Sequence, residues 1–206
     1  MLLCVLASTG GVIFVACIAA ESLREHRDLG TFMTTATTEG QFEIRAVCRA
    51  DVPALHAMIV ALAQFEKLTA ICVATVADIE DALFGSRPAA EALIAWNNRQ
   101  PAGFALFFHN FSTFLGRRGL WLEDLFVRDE YRNLGCATAL LRALAAIAEE
   151  RGCGRFEWAV LDWNARAIDF YEKLGATILP DWRIVRVVGP ALAKLAAPAP
   201  GDGARR

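Results

Sequence analysis

The chain has 206 residues, 55% of them hydrophobic, and a formal net charge of −2, enough for one well-buried domain with a short additional segment. A balance this close to neutral offers no bulk attraction to nucleic acid or to an anionic membrane surface and leaves a small neutral or cationic ligand as the open class. Cys4, Cys17, Cys48, Cys72, Cys136 and Cys153 lack paired spacing and only three histidines accompany them, so there is no zinc pattern or other metal site, and the thiols read as reduced residues of a cytoplasmic protein.

The first stretch, Met1 to Ala20, is apolar and near the roughly 20 residues that span a bilayer. It lacks a basic segment before the apolar run, and Ser8, Thr9, Gly10 and Gly11 interrupt it. Three readings stay open: a dispensable extension with the working start at Met33, a single membrane anchor, or an export signal. A membrane partner follows only from the second. Glu21 to Gln41 is polar and threonine-rich, a linker, so residues 1–41 form an extension, 42–195 the domain and 196–206 a disordered tail rich in Pro and Gly.

Phe42 to Val47 alternates apolar with polar, a half-exposed strand. Asp51 with Pro53 behind it predicts a capped helix carrying Leu55, Ile59, Leu62 and Phe65, and Thr75-Val-Ala-Asp78 opens a second helix that Gly85 stops. Glu91–Trp96 and Ala102–Phe108 flank a short turn and predict a hairpin. A further strand, Leu120–Val127, is apolar on both faces except at Glu123 and Asp124; adjacent residues on a regular strand point oppositely, so both carboxylates share one pocket only if the strand bulges. A helix from Ala137, the strand Arg155–Val160, a helix capped by Asn164 and ending at Gly175, and a last strand pair at 176–179 and 182–188 complete the order β-α-α-β-β-β-α-β-α-β-β, a mixed α/β sheet with helices on its faces.

Between the central strand and its helix lies Arg132-Asn133-Leu134-Gly135-Cys136-Ala137. Unpaired amides at a helix start, the helix dipole, a glycine that admits close approach and a permanent cation make an anion-binding arrangement. The motif alone also fits an ordinary helix entry.

Leu122-Glu-Asp-Leu-Phe-Val127, this R-x-x-G-x-A loop, and Asp162-Trp-Asn-x-x-Ala-x-x-Phe-Tyr-x-x-Leu-Gly-Ala176 together resemble the GNAT superfamily of N-acetyltransferases, and within it the diamine (spermidine/spermine-like) branch, from about Ile44 to Leu192. The resemblance implies a mostly antiparallel sheet and acetyl transfer from acetyl-CoA to a small amine, a diamine or polyamine. The alternatives are a lysine-analogue or protein amine, or an acyl-CoA-binding module without turnover. It implies that backbone groups of Leu125, Phe126 and Val127 hold the pantetheine arm, that Arg132 and the amides of Asn133, Leu134, Gly135, Cys136, Ala137 and Thr138 hold the pyrophosphate, and that Asn164, Ala165, Arg166 and Ala167 flank the thioester. Phe65, Glu66, Glu123, Asp124, Glu157 and Trp158 are the implied substrate contacts, and a homodimer is the implied assembly. Pro180-Asp181 stands where the branch carries an acidic pair, which opens the door to a smaller amine or amino acid.

The chemistry needs two proton movements. Deprotonating an alkylamine with a pKa near 10.4 costs about 4–5 kcal/mol at pH 7. Glu123, in an otherwise apolar strand, is the expected base through water, with a structural carboxylate as its alternative, and Tyr171 matches the family's acid for the departing thiolate.

Overall fold

The computed structural model describes residues 37–39 and 41–198. The readings of Met1 to Ala20, of residues 1–32, of most of the linker and of the tail after residue 198 lie outside them. Among the described residues no helix is long and apolar enough to cross a membrane.

The elements in chain order are β1 (Thr37–Glu39), β2 (Phe42–Ala46), α1 (Val52–Phe65), α2 (Val76–Phe84), β3 (Glu91–Asn97), β4 (Gln100–Ser112), β5 (Arg117–Val127), α3 (Cys136–Glu150), β6 (Phe156–Trp158), α4 (Ala165–Lys173) and α5 (Gly189–Ala196). The six strands form one sheet in sequence order; β1 to β5 pair antiparallel and β6 runs parallel to β5. The β3–β4 turn is tight because Asn98 and Arg99 both hold positive φ, 46° and 68°, the twist-matched geometry of a two-residue hairpin. Thr75 caps α2 as expected: Asp78 Oδ2 accepts from the Thr75 amide at 2.8 Å, while the Asp78 amide donates to the Thr75 hydroxyl at 3.2 Å.

Both faces of the sheet are covered, which is why its central strands read as continuous apolar runs. Leu93, Ala95, Phe107, Leu120 and Leu122 pack with Leu140, Leu141 and Leu144 of α3. On the other face Ile94, Phe104 and Phe126 pack with Val52, Leu55 and Met58 of α1 and Leu83 of α2.

Three sequence expectations are corrected. Asp51 does not cap α1 through its side chain; its carboxylate instead takes two bonds from Arg45, at 2.6 and 3.1 Å, and one from the Cys48 amide, an ion pair that outcompetes a cap. Part of the linker, Thr37–Glu39, is a strand, because β2 presents an open edge to it. The last strand pair is absent: residues 176–188 form no ladder, and α5 follows. Strand propensity needs a partner edge, and β6, the sheet's last strand, is only three residues long. Ile184 and Val185 accordingly stay 69% and 88% exposed.

Candidate active site

Opposite β4, Leu106 pairs with Asp124 and Phe107 with Leu122, so Glu123 is an extra residue in β5. This bulge reverses the side-chain parity of the strand. Before it, Leu120 and Leu122 face α3; after it, Leu125 and Val127 do, while Phe126 faces α1. Asp124, two residues before Phe126, therefore faces α1 as well. Trp121 occupies the same face before the bulge, and its indole N–H donates to Glu123 Oε2 at 2.9 Å. The two adjacent carboxylates thus share one side of the sheet, the condition that a regular strand would have denied.

The two carboxylates divide their roles in a way that sequence reading did not anticipate. Glu123, expected to be embedded, is exposed, whereas Asp124 is half-buried. Desolvation, the Glu123 charge and the Glu66 charge push the Asp124 carboxyl up to about 6. Glu66, at the end of α1, is itself raised by burial. This is a locus of concentrated negative potential that a cation would relieve.

The elevated Asp124 value has a consequence for stability. A carboxyl whose folded pKa lies above its unfolded value opposes folding wherever it is ionised, so the cost is full above about 6 and vanishes as pH falls toward 4. Asp124→Asn is expected to raise the unfolding free energy at pH 7.5 by up to about 3 kcal/mol, with the gain fading between pH 6 and 4. Urea melts across that range measure it; a pH-independent difference would place the carboxyl elsewhere.

Glu157 lies on β6 opposite Trp121. It accepts from Asn110 Nδ2 at 3.1 Å and pairs with Arg155 Nε at 2.7 Å, so its charge is already matched. Phe65 is exposed at the end of α1, its ring 6.3 Å from that of Trp163. Trp163, 57% exposed, belongs to this rim although sequence reading used it only to mark a helix entry; its position directly before the helix cap was the available signal.

Pairing between β5 and β6 stops at Leu122↔Trp158. Beyond it, no strand among the described residues pairs with the edge of β5 at Leu125, Phe126 and Val127, an edge that an extended ligand can join, although the Val127 carbonyl already accepts from Arg132. From the end of β5 a short turn leads to Gly135, the N-cap of α3, at φ 88°. Asn133 is also left-handed, at φ 62°, a conformation that Asn tolerates better than most residues. A Cβ built on Gly135 would meet nothing within 4 Å: the space beside the first α3 amides is clear. Leu134 is exposed, Ala137 and Thr138 are half-buried in the first turn, and Cys136 is buried with its thiol pushed up to about 12 by desolvation, a packing residue and not a nucleophile.

Arg132 is held by three neighbours. Its Nε donates to the Val127 carbonyl at 3.1 Å, its Nη2 meets Asp129 at 2.7 Å, and its guanidinium lies 4.9 Å over the Phe65 ring. At the other wall, Asn164 caps α4 by accepting from the Ala167 amide at 3.2 Å, with Ala165 exposed behind it. Arg166 reaches back to donate to Asn133 Oδ1 at 2.6 Å. Tyr171 packs on Trp158, 5.1 Å between centroids, on the α3 face, and burial raises its hydroxyl above the ordinary value. Asp124 and Tyr171 therefore approach from opposite faces, with the open edge of β5 between them.

The profile of the acetyltransferase (GNAT) family matches residues 59–176. The chain is 34% identical over 194 residues to an L-ornithine N5-acetyltransferase of Arabidopsis thaliana, covering 72% of this chain and 85% of that protein. It is 36% identical over 158 residues to a thialysine N-epsilon-acetyltransferase of Caenorhabditis elegans, covering 75% and 97%. Among solved structures, an integron cassette protein from the mobile metagenome of V. cholerae superposes with a TM-score of 0.66 at 24% identity, over 77% of this chain and 99% of that one, a likeness of fold.

Proposed function

This chain belongs to the acetyltransferase (GNAT) family and is an N-acetyltransferase, and from that premise we propose that it transfers the acetyl group of acetyl-CoA to a primary amine of a small dibasic compound, a diamine or polyamine. The observation that carries this reading is the placement of Glu66, Glu123 and Asp124 within electrostatic reach of one another on one face of the β5 bulge. Three carboxylates, of which none has a cationic partner among the described residues, suit a substrate with more than one ammonium group. The Phe65 and Trp163 rings beside them suit the alkyl chain and the cation–π contacts of a distal ammonium.

Acetyl-CoA supplies the activated acyl carbon. The open edge of β5 at Leu125 to Val127 and the clear space at Gly135 fit its pantetheine arm and pyrophosphate. Asp124 and Glu123 bind the ammonium and take its proton before attack. A carboxyl near 6 is largely ionised at pH 7 yet closer to the amine's pKa than an ordinary aspartate, which favours the transfer. Tyr171 donates its hydroxyl proton to the departing sulfur, and Glu157 and Trp158 shape the wall between the two groups.

A second reading, the side-chain amine of a diamino acid such as ornithine or thialysine, is favoured by the names of the relatives. Turnover of a panel of diamines, polyamines, ornithine and thialysine, followed by CoA release and by mass of the product, tests both. Greatest kcat/KM on a diamine or polyamine is expected; preference for the amino acids installs the second reading, and no turnover on any of them overturns both.

Gly135 provides a separate check on the cofactor side. Gly135→Val places a β-branched residue at φ 88°, costing about 1–2 kcal/mol of stability, and fills the space beside the α3 amides. KM for acetyl-CoA is expected to rise at least tenfold in the folded variant. An unchanged KM would reduce the loop to a helix entry.

A further inference from the structure

We propose that Arg166, held by Asn133, is the cation that receives the cofactor's pyrophosphate, in place of Arg132; the inference rests on the acetyl-CoA reading above. Arg132 stands in the loop where a phosphate-binding cation is expected, but its charge is spent elsewhere. Asp129 offsets it at 2.7 Å, the Val127 carbonyl occupies Nε, and Phe65 covers one face of the guanidinium. Turning it toward a phosphate would break an ion pair and a hydrogen bond and uncover the Phe65 ring.

Arg166 is in the opposite condition. It is exposed in the first turn of α4, and its contact among the described residues is a neutral amide, Asn133 Oδ1 at 2.6 Å. An arginine only donates, so the Asn133 oxygen faces it and the Asn133 NH₂ group is left as a further donor. Asn133 and Gly135, both left-handed, bracket the turn that leads into the first amides of α3. The result is a set of donors of one sign: the α3 amides, the Asn133 NH₂ and a guanidinium without a carboxylate partner. A planar fork bound to a phosphate gains two parallel bonds. The same contact fastens α4, which carries Tyr171, to the loop that follows β5, so phosphate binding and placement of the proton donor share one anchor.

The test compares donors as well as variants. For Arg166→Gln, KM for acetyl-CoA is expected to rise about 10-fold, equivalent to about 1.4 kcal/mol. KM for S-acetylpantetheine, which lacks the pyrophosphate, should be unchanged. Arg166→Lys should recover part of the loss, and Arg132→Gln should raise KM less than Arg166→Gln does. An equal rise with S-acetylpantetheine would overturn the proposal, as would an unchanged KM with acetyl-CoA. A loss confined to acetyl-CoA and absent with acetyl-dephospho-CoA would move the contact to the 3′-phosphate and overturn it too. Calorimetry of CoA on the unaltered protein separates the two levels: no binding there fails the acetyl-CoA reading itself, whereas binding that Arg166→Gln leaves untouched fails only the role of Arg166.

Discussion

Replacing both carboxylates of the β5 bulge, Glu123→Gln with Asp124→Asn, is expected to lower kcat/KM for the best amine by about 10²–10⁴ at pH 7, the usual range for loss of a positioned base. The amide pair keeps the shape and the Trp121 contact surface but can neither hold an ammonium by charge nor accept its proton. Part of the loss should return above pH 9, where free amine becomes abundant without help. Between the single variants, Asp124→Asn is expected to be the more damaging, because Asp124 is the desolvated member and feels the charges of both Glu123 and Glu66. The ascending limb of kcat/KM against pH, set near 6 by Asp124 ionisation, should disappear with it. If Glu123→Gln alone takes the whole loss and Asp124→Asn behaves as the parent, the proton leaves through Glu123 and water, and Asp124 is a structural carboxylate. A double variant with parental activity at neutral pH removes both from the mechanism.

Tyr171→Phe is expected to lower kcat by about 10² or more while leaving folding and CoA binding nearly unchanged. The ring is what packs on Trp158 and Phe170, so deleting one oxygen preserves the contacts that hold α4 to the α3 face. The hydroxyl is protonated at neutral pH, and its raised pKa makes it a weaker acid than free tyrosine. A thiolate is a weaker base than the tyrosinate left behind, so the proton must move as the C–S bond breaks and negative charge builds on sulfur, and a donor thioester with a more acidic thiol should be less sensitive to the substitution. Normal turnover by the Phe variant would make Tyr171 a packing residue and leave the thiolate to water.

Much of this arrangement was legible in the sequence, and the parts that were not share a cause. The Thr75 capping box, the hairpin turn around Asn98 and Arg99, and the α4 cap at Asn164 are local: a few neighbouring residues settle them, and the structure agrees. Helix α4 and the loop at Gly135 were placed for the same reason. The bulge was visible only as a condition, because whether Glu123 drops out of the ladder is decided by what β4 presents opposite it. The exposure of Glu123 and the half-burial of Asp124 follow from that pairing and not from the apolar context of the strand. Asp51 shows the same limit: it sits where a helix cap is expected, but an ion pair with Arg45, six residues away, redirects the side chain. Residues 182–188 have the alternation of a strand and no ladder, since propensity cannot supply a partner edge.

The extra residue in β5 also sets the step size by which this strand can change its length. Removing Glu123 alone would restore a regular pleat with every downstream face kept, because Leu122 already stands opposite Phe107 and Asp124 opposite Leu106; drawing Glu123 into the ladder without shortening the strand would instead turn Phe126 toward α3 and Leu125 and Val127 toward α1. Losing or gaining two residues on that side of the bulge keeps every face as it is. An odd-length insertion or deletion between Asp124 and Val127 would exchange the faces of the residues beyond it, so Glu123 is the position in this run at which a single residue can be lost without turning the strand over.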